Sequence, residues 1–473
     1  MKLRLALPVA AAAALVAASS AAAFTPTNTY FAKQWYLNQD HAFDAWSSPP
    51  SLQPVKVGIV DSGVDCSLPD LSGQVVKSQS FVGGSACTDT QGHGTIVAGE
   101  IAGTLDSAGI VGLAYSSQLL VAKVVASDGS IPLKAEAAGI RWVVDNGAQV
   151  VNLSFGAVRD PLNPALDTYS KQEAQAVAYA VSKGAVVVAA VGNSDEAYTT
   201  PWEFASWPAA LPHVLGVAAL THSGNVPDFS DRDPTYVDIS APGVDIFSTF
   251  PRALTIQQQG CSPQGYTDCA GSDYRDPEGT SFAAPQVSAA AAILLGLHPS
   301  LTANQVTTIL ERNADDVDPA TGCASCPTGR DMYSGWGRLD VQQAVAALSG
   351  PLPPVDRFEP NDTVAQAHTL WGRKPAITAA LDYWDDPKDV YRVKLARGQR
   401  VQAQARTRAV VSLALLSPKG KRLAGTSRPG RTQRVAYRAQ RAGWYYLRLR
   451  LNGPGTGGYS LKLSKSKGKS KSS

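Results

Sequence analysis

The chain has 473 residues, 44% of them hydrophobic and 17% charged, so it can bury a large core; a disordered or low-complexity protein is excluded, and two or three domains are expected. Its net charge of +3 hides a division at Gly350: residues 1–350 hold 17 basic and 32 acidic side chains, whereas residues 351–473 hold 25 and 7. Opposite signs predict two domains with different surfaces, and the acidic larger part would repel phosphate, which argues against nucleic acid as a partner.

Met1–Ala23 carries Lys2 and Arg4, an apolar run from Leu5 to Val16, and then Ala21-Ala22-Ala23. This is the pattern of a signal peptide cut before Phe24, and the run falls short of the ~18–20 apolar residues of a spanning helix. A secreted, extracellular bacterial protein is expected. Its six cysteines form an even set, and nearness along the chain suggests the pairs Cys66–Cys87, Cys261–Cys269 and Cys323–Cys326. The last is a C-x-x-C, but no second such pair or spaced His pair accompanies it, so a structural bridge is favoured over a zinc or redox site.

Over residues 24–348, β-branched runs alternate with helical patterns, the signature of an α/β domain with a parallel sheet. Val55–Val60, Leu119–Val125, Gln149–Leu153, Ala185–Val191 and Val214–Ala218 read as buried strands. Between them, Leu133, Ala137, Ile140 and Val144 recur at helical spacing, and Ser170-Lys-Gln-Glu173 reads as a capping box opening a helix that Gly184 ends. Residues 349–355, rich in Pro, read as a linker. From 356 to 463 the period becomes two, as in Tyr445, Leu447 and Leu449, which predicts a small all-β sandwich; residues 464–473 form a basic tail too repulsive to fold.

The first strand delivers Asp61 to its carboxyl end, where open α/β sheets place their sites, and the run Ala185–Val191 ends in Gly192-Asn193 on the same edge. Gln91-Gly-His93-Gly places His93 at the start of a helix, and Gly279-Thr-Ser281 does the same for Ser281, whose helix N-terminus suits a developing oxyanion. Singly, Asp61 could cap a turn, His93 could be a packing histidine, and Ser281 an N-cap. Together they describe a nucleophile, a base, an orienting acid and an amide donor.

The strings Val57-Gly-Ile-Val-Asp61-Ser-Gly-Val-Asp65, His93-Gly-Thr-Ile-Val-Ala-Gly99, Val151-Asn-Leu-Ser-Phe-Gly156, Val191-Gly-Asn193 and Gly279-Thr-Ser281-Phe-Ala-Ala-Pro285 resemble the subtilisin-like serine proteases, over roughly residues 24–348. The resemblance implies a serine endopeptidase of broad specificity with protein or peptide substrates. In it Asp61, His93 and Ser281 form the triad, and Asn193 with the Ser281 N–H forms the oxyanion hole. It further implies that Ser154, Phe155 and Gly156 pair with an extended substrate, and that Ala190, Val191 and Gly192 wall the specificity pocket, with Asp195 and Glu196 nearby. No cofactor is expected for catalysis. Structural calcium is implied, with Asp70 matching one family ligand beside the shortened loop Leu105–Gly109. Phe31–Leu37 already resembles the start of the catalytic domain, which leaves little room for an inhibitory propeptide after the signal.

Residues 356–463, through Asp356-Arg-Phe-Glu-Pro-Asn-Asp362, Asp389-Val-Tyr391, Gly443-Trp-Tyr-Tyr446 and Gly458-Tyr-Ser-Leu461, resemble the bacterial pre-peptidase C-terminal domain. Its positive charge offers contact with an acidic surface. A monomer is expected. The competing reading is a secreted binding protein with a dead α/β domain, opposed by the intact Asp61, His93, Asn193 and Ser281. A lipase or esterase is disfavoured because Ser281 lies in Gly-Thr-Ser-Phe-Ala rather than G-x-S-x-G.

Overall fold

The computed structural model describes residues 23–194, 197–257, 273–384 and 386–466. The expected signal segment before Ala23, the expected pair Cys261–Cys269, Asp195 and Glu196, and the tail from 467 lie outside the described residues. Seven parallel strands make the first sheet: β1 (Lys56–Asp61), β2 (Val75–Ser80), β3 (Gln118–Lys123), β4 (Val150–Leu153), β5 (Val186–Ala190), β6 (Val214–Leu220) and β7 (Ile239–Pro242), in the order β2-β3-β1-β4-β5-β6-β7. Five of these are the runs read from sequence. β2 and β7 lie at the sheet's two ends; β2 is polar and largely exposed, so no apolar run announces it.

Among the described residues, eight α-helices accompany the strands: α1 (Trp35–Gln39), α2 (His93–Ala102), α3 (Leu133–Asp145), α4 (Lys171–Ser182), α5 (Arg252–Gln257), α6 (Thr280–Leu297), α7 (Ala303–Arg312) and α8 (Val341–Ala347). α2 and α6 pack on one face of the sheet, α3 and α4 on the other. α6 is apolar on all sides because it is buried on all sides; it is long and apolar enough to cross a membrane, yet 89% of it is buried in the protein. A short pair, β8 (Ser248–Thr249) with β9 (Tyr274–Arg275), backs α2. At α4, Ser170 Oγ accepts from Glu173 N at 3.2 Å, but the Glu173 side chain turns inward to Glu136, so only half of the expected capping box forms.

The C-terminal region is a folded sheet of β10 (His368–Thr369), β11 (Ala376–Asp382), β12 (Lys388–Leu395), β13 (Arg400–Leu416), β14 (Arg422–Gly425), β15 (Gly430–Arg438), β16 (Gly443–Leu451) and β17 (Thr456–Lys465). The long strand β13 belongs to both layers. Its first half pairs with β15 and β17, its second half with β16 and β14, and the pairing shifts between Arg406 and Val411 where it turns. Leu413, Leu447, Leu449, Leu461 and Leu463 fill the space between. β17 continues to Lys465, so part of the expected tail is strand. Cys66–Cys87 and Cys323–Cys326 are bonded as expected.

Candidate active site

The strand order reverses its direction of growth beside β1, which lies between β3 and β4, and the crevice at the carboxyl ends there is where a parallel sheet offers a site. Asp61, the last residue of β1, is 2% exposed. Both its oxygens face His93: Nδ1 lies 2.8 Å from Oδ1 and 3.0 Å from Oδ2. His93 begins α2 after Gly92, whose φ of 95° is the left-handed region and whose place against the Phe250 ring admits no side chain. Gly94 is equally constrained, because a Cβ there would overlap the Gly63 carbonyl and crowd Asp61. The two glycines let the helix start come down onto the strand end.

Asp89, which sequence reading missed, fixes this loop. Its carboxylate accepts from the N–H groups of Gln91, Gly92 and Thr95 and from the hydroxyls of Ser62 and Thr95, all within 3.0 Å. Ser62 Oγ in turn accepts from Gly94 N at 2.9 Å. The only available signal was an acid followed shortly by the glycine-flanked His93, an Asx-turn pattern.

Ser281 stands in the first turn of α6. Pro285 has no N–H, so the Ser281 carbonyl four residues earlier lacks its helical donor; Ser154 Oγ supplies one at 2.7 Å. Ser281 Oγ donates back to the Ser154 carbonyl at 2.8 Å. This reciprocal pair ties the nucleophile candidate to the segment after β4. Asn193 Oδ1 accepts from Thr280 N and Thr280 Oγ1, both at 3.0 Å, which orients the amide and leaves its Nδ2 toward Gly279 at the cleft. Thr280 was not anticipated.

Asp61, His93, Asn193 and Ser281 all line one cleft of about 530 Å³. Ser154, Phe155, Gly156, Ala190 and Gly192 line it too, as expected. Val191 does not. Strand alternation turns its side chain into the core beneath α3 and α4, where it is fully buried, so the pocket wall is Ala190 and Gly192. Gly129 and Ile131, from the loop after β3, also line the cleft and were not foreseen.

The loop that precedes β3 has the donors of a hard-cation site. The Asn28 side-chain nitrogen has the carbonyls of Thr104, Ala108 and Ile110 at 2.9, 2.5 and 2.9 Å. One NH₂ has two hydrogens for these three oxygens, while Asn28 Oδ1 is buried with no partner. Half a turn of the amide would add Oδ1 to the carbonyls, and Asp70 Oδ1 lies against Gly109 of the same loop. Such a ring of oxygens fits calcium.

The subtilase family (peptidase S8) profile matches residues 53–337. Subtilisin DY of Bacillus licheniformis is 34% identical over 291 residues, 61% of this chain and 90% of the relative. Thermitase of Thermoactinomyces vulgaris is 33% identical over 325 residues, 68% and 99% of the two chains. Among solved structures, fervidolysin from Fervidobacterium pennivorans aligns with a TM-score of 0.54 at 26% identity, covering 83% of this chain and 51% of its own. A lanthipeptide protease aligns with a TM-score of 0.55 at 22% identity, which speaks for the fold alone. The family match covers more than half of the chain, and the protein therefore belongs to the subtilases and is a serine-type endopeptidase.

Proposed function

We propose that this is a secreted endopeptidase that cleaves extended peptides through an Asp61–His93–Ser281 triad and an acyl-enzyme intermediate. Ser281 Oγ attacks the scissile carbonyl while His93 takes its proton; the C–N bond then breaks as His93 returns that proton to the leaving amine. Water repeats the two transfers on the ester and frees Ser281. Asp61, buried and bonded through both oxygens to Nδ1, fixes the tautomer that leaves Nε2 to act as base and stabilises the imidazolium. The negative oxygen of the tetrahedral intermediate meets the Asn193 amide and the Ser281 N–H.

The observation that carries this reading is the Asp61–His93 pair opening on the same cleft as Ser281 and the pre-oriented Asn193. A substrate strand fits between the edge Ser154–Gly156 and the Gly129–Ile131 loop, held by main-chain hydrogen bonds that are indifferent to sequence; this supports broad specificity. Asn28, Asp70 and the carbonyls of Thr104, Ala108 and Ile110 would hold a structural calcium, tying the N-terminal segment to the loop before β3.

Ser281→Ala should lower hydrolysis of denatured casein by at least ~10³-fold with an unchanged fold, since it removes the nucleophile and only a hydroxyl's volume. The wild type should label with a fluorophosphonate and the variant should not. Casein hydrolysis by the variant at the wild-type rate would overturn the assignment.

A further inference from the structure

Charge in the C-terminal region is sorted by place. All seven acidic residues of 351–473 lie between Asp356 and Asp389, whereas residues 390–473 hold 21 basic side chains and no acidic one. The acidic segments meet the peptidase region: Asp362 lies 2.8 Å from His213, and Asp382 lies 2.8 Å from Arg312. The strands that follow gather their charge on the outer face of one layer. Alternate residues of β13, β15 and β17 are buried, among them Val401, Ala403, Ala405, Val435, Leu461 and Leu463, so the residues between them point outward.

The register builds this face row by row. Arg400 of β13 stands opposite Arg438 of β15. In the next rows Gln402 lies between Ala436 and Ser464, Gln404 between Arg434 and Lys462, and Arg406 between Thr432 and Ser460. Arg434 and Lys462, two strand spacings apart, are separated by about 10 Å. Among the described residues, none of Arg400, Arg406, Arg408, Arg434, Arg438 and Lys462 belongs to an ion pair. Like charges directly opposite one another oppose folding, so the Arg400–Arg438 pair costs stability until an anion covers it. The buried side-chain nitrogen of Gln404, between Arg434 and Lys462, has no acceptor. Two hollows adjoin along the face, one of about 530 Å³ at Gln404, Arg434 and Lys462, the other of about 550 Å³ at Arg406, Arg408 and Ser460. The outer face of the other layer differs, because its Arg392 is already engaged, stacked 5.1 Å from the Trp444 ring and donating to Thr369 Oγ1 at 2.7 Å.

The side chains on the face select the partner. Arginine takes a carboxylate through two parallel hydrogen bonds, and Gln402, Gln404, Thr432, Ser460 and Ser464 between the charges supply neutral donors and acceptors that suit hydroxyl groups. No outward residue of these rows is aromatic, so there is no platform for an unstacked base. None is a large apolar side chain that could enter a bilayer. We infer that Arg400, Arg406, Arg434, Arg438 and Lys462 form a docking face for a linear acidic polysaccharide, a hydroxyl-rich chain with carboxylates along its length, lying across β15, β13 and β17. No residue of the sandwich lines the active cleft, so the bound polymer anchors the peptidase and leaves the cleft open.

The test uses the full mature chain carrying Ser281→Ala, which prevents self-cleavage and keeps the inference independent of catalysis. Binding to immobilised polygalacturonate is measured by biolayer interferometry at physiological salt, with dextran, polyglutamate and duplex DNA as competitors. Polygalacturonate should bind and dextran should not, and added salt should weaken the complex. Arg434→Glu combined with Lys462→Glu should weaken binding at least ~10-fold, whereas Arg392→Glu combined with Arg450→Glu, the same change of net charge on the other face, should weaken it less than about threefold. Arg438→Gln should also bind more weakly, yet unfold no earlier than the parent, because it removes the like-charge pair. Equal losses in the two double reversals would mean that net charge attracts without a site, and would overturn the inference. Polyglutamate or duplex DNA competing as well as free polygalacturonate would overturn it too, since neither offers a chain of sugars bearing carboxylates.

Discussion

Asn193 reaches the cleft with its amide already set, because Thr280 donates twice to its oxygen. A donor that needs no reorganisation is worth most where negative charge develops, so Asn193→Leu should act on turnover. We expect kcat to fall by about 10²-fold or more, the scale on which a subtilisin loses activity when one oxyanion-hole donor is removed, with KM nearly constant. Steady-state kinetics on a chromogenic peptide decides this; a change confined to KM would assign Asn193 to ground-state binding instead. Asp61, His93, Asn193 and Ser281 were legible because each sits at a strand end or helix start marked by its own glycine or apolar run. Asp89, Thr280 and Asn28 were not. Asp89 had only a local turn pattern to announce it, whereas the roles of Thr280 and Asn28 arise from contacts across the fold, as Thr280 is 87 residues from Asn193 and Asn28 is 82 from Ile110, and nothing adjacent to those two announces the partner.

Among the elements, α3 and α4 meet through Glu136 and Glu173, both more than nine-tenths buried. Burial, with the neighbouring Glu173 charge, pushes the Glu136 carboxyl up to about 9, and burial raises Glu173 to about 7, so the pair shares a proton. Because both folded values lie above the ordinary 4.5, the stability they contribute is complete below that pH and is lost as pH rises through about 7 and 9. Glu136→Gln keeps a donor for Glu173 and cannot ionise. Thermal unfolding of this variant in the Ser281→Ala background should match the parent near pH 5 and exceed it near pH 9; parallel curves across that range would refute the shared proton. The sequence pattern offered Glu173 only as a capping residue, since helical spacing says which face is buried but not what the facing helix brings to it. Disulfide Cys66–Cys87 works on the same scale: it spans 21 residues between Asp61 and His93, about 3 kcal/mol in the chain-entropy view.

On the scale of the whole molecule, the active cleft and the C-terminal sandwich occupy opposite edges of one sheet. Asp61 ends β1 and Asn193 follows β5, whereas His213 precedes β6 and Ala185 precedes and Val186 opens β5 on the side that faces the sandwich. Five residues of strand separate these edges, about 16 Å at 3.3 Å per residue. The Pro-rich segment 349–355, read from sequence as a linker, does not isolate the two regions it joins. Gln305 Nε2 donates to the Pro353 carbonyl at 2.7 Å, Leu352 packs on the core, and His213, Arg312 and Trp336 each meet the sandwich. Composition reads chain stiffness and polarity, and it cannot read a surface formed by residues far apart in sequence. Truncation after residue 350 should therefore separate two properties. The cleft loses no lining residue, so kcat/KM on a short peptide should stay within about threefold of the full chain. Stability should fall, because Trp336, Arg312 and His213 lose their ring and charged hydrogen-bond contacts with the sandwich, each hydrogen bond to a charged group contributing about 1.5–3 kcal/mol. Peptide hydrolysis at 25 °C and thermal unfolding of the same sample check both halves. A truncated chain inactive at 25 °C although folded would mean that the sandwich acts on the cleft through the sheet and does not simply brace its opposite edge.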